Sequence, residues 1–356
     1  MMCGGVVERR VLPVTRKATG RERFRRARGR LIKYMSNNLR IVILTALLPL
    51  LLCCNGRQGR EDGATTAVAS LRGPSSVAMI GLIDSLSREK APAARVEIFS
   101  EPLQVRKLML TDSVDLAVLP TTMAALLYNK GIDYRVAAVP MWGTLYLCGT
   151  DTTIHSIPDL RGRKVYLMAK GMTPDVLFRH LLLSNGLEPY KDVDLDYRFP
   201  THIDLANATM AGRAEMSVIS EPYLSQALNE NPSLHILLDL NDEWAKVESV
   251  PVAETALVVR AAFAGEHPEA VEAFVEAYRR SAERVNADPA AAAALAVRYG
   301  INPDTLAVIS SIPRSNMRVV PAADVRNAII DYLRVFYEME PEIIGGKMPD
   351  ENFFVK

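Results

Sequence analysis

From Thr65 onward, short apolar runs alternate with stretches of helical periodicity, and this alternation confines the chain to α/β folds with mainly parallel sheets. TTAVASL (65–71), ARVEIFS (94–100), VDLAVLP (114–120), YRVAAVPMW (134–142) and TLYLCGT (144–150) read as strands. Between them, residues 73–90, 101–112 and 121–131 carry helical patterns. Ser75 or Ser76 is the expected cap of the first helix; Thr121 and Gly131 bracket the third. VDLAVLP is apolar almost throughout, as a strand covered on both faces requires.

The pattern then restarts. Strands are expected at 163–169, 194–199, 215–220 and 235–240, with helices at 173–186, 202–214 and 222–231. Thr173 is the expected cap of the 173–186 helix, with Pro174 at its first position. A last strand, ETALVVR (254–260), precedes a tail that is nearly all helix. A length of 356 residues agrees with two domains at about 100–200 residues each. The expected division is a discontinuous first lobe, residues 64–148 plus 252–356, and an inserted second lobe, residues 149–247. Two crossings near 143–150 and 247–254 would form a double hinge.

The front of the chain reads as an address. Residues 1–34 hold eleven Lys or Arg and two acids, leaving 31 bases and 39 acids in the remainder. The formal net charge of +1 therefore averages a basic leader with a mildly acidic body, which gives no case for nucleic-acid binding. Residues 41–54 are apolar except for Thr45, too few for a comfortable span of about 20 residues. They suit the apolar core of a signal peptide, with Arg40 as its positive flank. The segment 35–54 ends on Cys53-Cys54, which resembles a bacterial lipoprotein signal. Cys54 is the preferred lipid acceptor and Cys53 the alternative, although neither follows the usual small residue. An uncleaved N-terminal anchor is the competing reading. Residues 55–63 form a polar linker. Met35 is the expected true start, with 1–34 either spurious or a genuine basic arm.

Three segments share one design, a strand end followed by a helix start rich in hydroxyl or glycine residues. They contain Gly73, Ser75 and Ser76; Thr121 and Thr122; and Lys170, Gly171 and Thr173. Helix starts offer free N–H groups and partial positive charge, and ligands of parallel sheets bind outside the strands' carboxyl ends. Any one of these residues read alone is an ordinary cap. Trp142, beside a crossing, would stack on a ligand or pack in a core. Glu221 would bind an N–H-bearing group or simply favour a helix start. Lys170 would counter an anion or stand in solvent, and Trp244 is expected to pack near the second crossing.

Catalytic patterns are thin. The five histidines form no HExxH, and GxSxG, Walker A and GxGxxG are absent. Cys148, within an apolar strand, reads as a structural thiol rather than a nucleophile. No catalytic residue, metal or cofactor is expected.

LRGPSSVAM, DLAVLPTTMAALLYNKG, IHSIPDLRGRKVYLMAKGMTPDVLFRHLLLSNGL and AEMSVISEPYLSQAL together resemble the nitrate/taurine/sulfonate-type substrate-binding proteins of ABC importers. The resemblance covers residues 65–356. It implies a type II periplasmic-binding-protein fold, a small organic solute as ligand, a permease with its ATPase as partners, and a monomer tethered to the membrane by lipid. It places Gly73, Ser75, Ser76, Thr121, Thr122, Trp142, Thr173 and Glu221 in the cleft. Apart from Arg72, no arginine stands at the three helix starts, which favours a neutral or zwitterionic ligand over a strongly anionic one such as nitrate. Two other readings compete: an enzyme on the same fold, of the pyrimidine-precursor synthase or menaquinone-pathway type, and a sensor for a membrane partner. An exported chain favours the receptor.

Overall fold

A computed structural model describes residues 65–355. The leader, the apolar segment with Cys53 and Cys54, and the linker lie outside the described residues.

Two sheets organise the described chain. The first has the order β11-β4-β10-β3-β1-β2: β1 (Thr66–Leu71), β2 (Ala94–Phe99), β3 (Leu116–Pro120), β4 (Tyr134–Met141), β10 (Thr255–Arg260) and β11 (Met317–Pro321). The second has the order β7-β6-β8-β5-β9: β5 (Leu145–Gly149), β6 (Lys164–Tyr166), β7 (Asp194–Asp196), β8 (Met216–Ser220) and β9 (His235–Asp239). In the first sheet β1 to β4 run one way, and β10 and β11 run against them. In the second, β6 to β9 run one way and β5 opposes them.

The opposing strands β5 and β10 are the first strands entered after each crossing. The expected lobe boundary after residue 148 cuts through β5, which pairs with β8 and β9; the first crossing therefore lies between Met141 and Leu145. A strand apolar on both faces carries no mark of the sheet it joins, so the sequence alone does not assign β5 to the second sheet.

Period-two alternation in the central strands feeds separate cores. Leu116 and Val118 enter one cluster with Leu257 and Tyr278, while Ala117 and Leu119 enter another that extends beneath the second sheet to Leu147, Phe178 and Trp244. Trp244 is buried as expected; its Nε1 donates to the Val250 carbonyl at 2.7 Å, and its ring lies 5.8 Å from that of Tyr332. Cys148 is fully buried, and burial pushes its thiol up to about 12, which leaves it inert at neutral pH.

The helix starts differ in detail from expectation. The 73–90 segment divides into α1 (Pro74–Ala78) and α2 (Ile80–Ser87), and Gly73 at φ 120° is the cap in place of Ser75 or Ser76. Pro74, with its fixed φ, takes the first helical position and pushes the cap one residue back. After α3 (Pro102–Leu110), Thr121 opens α4 (Thr121–Asn129) behind Pro120 in the same way, and Thr173 opens α5 (Thr173–Ser184) after Met172. Both threonines therefore lie inside the first helical turn, and neither side chain caps its helix.

The C-terminal tail straps α4 in place. Asn129 Nδ2 donates to the carbonyls of Ile344 and Lys347, and the Tyr128 hydroxyl donates to Asp350. A side chain at Gly345, whose φ is 88°, would meet Asn129 Cβ at 2.9 Å.

Candidate functional site

The carboxyl ends of β1, β3 and β4 and the first residues of β10 form one edge of the first sheet. The ends of β6, β8 and β9 and the first residues of β5 form an edge of the second. Contacts between residues at these edges define a junction, and the expected site residues take distinct places in it.

Thr122 and Thr173 meet across it, their hydroxyl oxygens 2.7 Å apart and buried. The starts of α4 and α5 therefore face each other. Gly73 lies opposite Pro222; a Cβ on Gly73 would stand 3.7 Å from the proline ring. Ser76 is absorbed locally, its hydroxyl donating to the Gly73 carbonyl at 3.0 Å. Ser75 is buried, and its carbonyl accepts from the Tyr278 hydroxyl at 2.8 Å. Thr121 donates to the Ala253 carbonyl at 2.5 Å, tying α4 to the second crossing.

Trp142 is buried, and its Nε1 donates to the Arg318 carbonyl at 2.7 Å. The Arg318 guanidinium covers its ring at 4.8 Å. Two cations weighed as counters to a ligand are committed elsewhere. Arg72 donates to the carbonyls of Gly300 and Ile301, and Lys170 lies over the rings of Tyr190 and Tyr197.

Glu221 carries the densest set of bonds. Its Oε2 accepts from the amide and hydroxyl of Ser225 at 3.0 and 2.8 Å, and its Oε1 accepts from Arg314 Nε at 2.5 Å. Arg314 ends a short 3₁₀ turn, Ile312–Arg314, that precedes β11 of the first sheet, so this ion pair bridges the two halves. Arg314 also donates to Ser225 Oγ at 2.7 Å, and its own carbonyl accepts from the Tyr146 hydroxyl at 2.8 Å. Burial pushes the Glu221 carboxyl upward, while Arg314 and Ser225 pull it back.

Sequence reasoning missed Thr144, Glu254, Arg314 and Tyr332. Thr144, within the first crossing, donates to Glu254 Oε1 at 2.9 Å. Glu254 Oε2 is shut off from solvent and has no hydrogen-bond partner, although other atoms of the residue touch solvent. Burial pushes the Glu254 carboxyl up to about 7. The Tyr332 hydroxyl is likewise buried and unpartnered; burial, then the charge of Glu254, raises it well above its ordinary value. The available signal was an acid at the head of a strand segment, ETALVVR, whose centre is apolar. Arg314 lies in a turn whose sequence carries no such mark.

A cavity of about 230 Å³ opens at the junction between α4 and α5, bordered by Thr122, Met123, Gly171, Thr173 and Glu340. Pockets for drug-sized ligands span roughly 300–1,000 Å³, so this cavity is smaller than most. A hollow of about 310 Å³, bordered by Arg135, Val271 and Phe354, lies on the other side of the first half and includes none of the expected site residues. Among the described residues, no group of His, Cys, Asp and Glu is arranged to hold a metal. No helix among them is long and apolar enough to cross a membrane.

Residues 95–292 match the family described as NMT1/THI5 like. The chain belongs to this family. An ABC transporter protein of known structure from Parabacteroides distasonis is 30% identical, with a TM-score of 0.72 over 82% of this chain and 99% of that one. The periplasmic aliphatic sulphonate-binding protein SsuA from Escherichia coli is 17% identical, with a TM-score of 0.65 over 80% of this chain and 92% of its own. The alkanesulfonate-binding SsuA from Xanthomonas axonopodis, solved with MOPS bound, is also 17% identical, with a TM-score of 0.60 over 82% and 96%. No curated protein matches the chain. The fold of this NMT1/THI5-like protein is the type II periplasmic-binding-protein clamshell, and the strands β5 and β10 are the reversed strands that follow its two crossings.

Proposed function

We propose that this NMT1/THI5-like protein is the extracytoplasmic solute receptor of an ABC importer. It captures a small organic molecule between its halves and delivers it to a membrane permease driven by an ATPase. The supporting observation is the meeting of two helix starts, Thr122 against Thr173, at the carboxyl ends of opposed sheets. Such ends collect unpaired backbone donors and are where ligands of parallel sheets bind. In this reading the lobes are residues 64–141 with 255–356 and residues 145–247, joined by a double hinge. Gly73, Ser75, Ser76, Thr121, Thr122, Trp142, Thr173 and Glu221 border the cleft. The chain is exported, works as a monomer, and is held at the membrane by lipid on Cys54 or Cys53. It does no chemistry on its ligand.

Native mass spectrometry of the full chain, extracted without refolding, tests this reading. A small molecule released unchanged supports the receptor and names the solute class. A molecule converted into product during incubation overturns it in favour of an enzyme on the same fold.

A further inference from the structure

Glu254 is a half-buried acid with one oxygen satisfied and the other, shut off from solvent, open. Thr144 holds Oε1 at 2.9 Å and so fixes the direction of the carboxylate. Oε2 has no partner and no access to solvent. The Tyr332 hydroxyl is in the same condition and feels Glu254's charge, and neither group hydrogen-bonds the other. Both sit beside the crossings: Glu254 follows the second, its Thr144 partner lies in the first, and Tyr332 packs against Trp244 just before the second.

Unsatisfied buried polar groups are rare because each costs about 1–3 kcal/mol, more when charged. A trapped water would supply a donor to Oε2 but would leave its charge uncompensated. Arg314, a cation at the junction, is spent on Glu221 and Ser225. The Glu221–Arg314 pair is neutral as a unit, so Glu254 adds an uncompensated negative charge to the junction. A sulfonate or nitrate entering this site would meet that charge at low dielectric.

We propose that Glu254, oriented by Thr144 and accompanied by Tyr332, anchors a cationic N–H-bearing group, such as an ammonium, amidinium or guanidinium, on the transported solute. The inference rests on the receptor reading and specifies its ligand class as organic cations or zwitterions. Oε2 accepts the N–H, the ligand's positive charge offsets the buried carboxylate, and the Tyr332 oxygen takes a second donor. The partly neutralised acid, near 7 in the empty site, ionises fully when a cation arrives.

Isothermal titration of the full chain in detergent at pH 8, with benzamidine and ethanesulfonate as probes, tests the proposal. Benzamidine is expected to bind and ethanesulfonate not. Glu254→Gln is expected to weaken benzamidine at least tenfold and Tyr332→Phe about threefold. Melting temperatures without probe report whether each variant is folded. Should Glu254→Gln fail to fold, Glu254→Asp, which keeps the charge but withdraws it by one methylene, is expected to weaken benzamidine several-fold. Benzamidine binding that is absent, or equal in wild type and variants, overturns the Glu254 anchor. Binding of ethanesulfonate alone overturns the anchor while supporting the receptor. The receptor reading fails separately, through turnover of the co-purified molecule.

Discussion

Two glutamates face the same junction from opposite sheets and have met opposite fates. Glu221, after β8, has both oxygens filled, by Arg314 on one side and Ser225 on the other. Glu254, before β10, has one oxygen filled and the other open. Burial drives both carboxyls upward, so burial alone does not distinguish them. The partners do. Glu221 is spent on joining the halves, while Glu254 keeps a valence for something the chain does not supply.

Arg314→Met strands Glu221 without a counter-charge and should lower unfolding stability by about 3 kcal/mol, read from urea denaturation. Adding Glu221→Gln to that variant should recover part of the loss, because the stranded charge goes with it. Equal stability of wild type and Arg314→Met would remove the pair as a brace.

Glu254→Gln should act in the other direction, and only above acid pH. The folded carboxyl titrates near 7 against an ordinary value of 4.5, so the fold favours the protonated form. That contribution is whole below about 4.5 and is lost as pH rises through about 7. Without ligand, the variant should therefore match wild type at pH 4 and exceed it by about 2 kcal/mol at pH 8. Melting temperature against pH measures the difference between the two curves; parallel curves would show that Glu254 is not penalised by burial.

Smaller effects sharpen the picture. Trp142→Phe removes the donor to the Arg318 carbonyl and should cost about 1–2 kcal/mol. Thr122→Val breaks the hydroxyl contact with Thr173 and should cost about 1 kcal/mol, with a larger share in the closed form than in an open one. Small-angle scattering of Thr122→Val without ligand should show a modest increase in radius; an unchanged profile would mean the contact does not hold the halves together.

The sequence carried most of the fold because apolar periodicity and helix punctuation are local. Leu116 to Leu119 declare a strand with two covered faces, and Pro174 declares a helix start. It carried less of the junction because pairing is not local. Nothing near Glu221 announces Arg314, 93 residues later, and nothing near Thr144 announces Glu254. The hydroxyls were legible as helix-start residues, but their targets were not: Thr121 reaches a backbone carbonyl, Thr122 another threonine, and Ser76 its own turn. Trp142 announced itself by position, yet what its indole donates to is set by a strand at the far end of the chain.

The late position of β10 in the chain dictates the order of assembly. β10 lies between β3 and β4, so Leu116 and Val136 lack their inner neighbours until Val259 and Val258 have been made. The first sheet thus stays open through synthesis of the whole second half, and closing it joins segments very distant along the chain. Such long-range pairing places folding at the slow end of the range for domains. Until its last third has been made, the chain has no complete first sheet to resist unfolding.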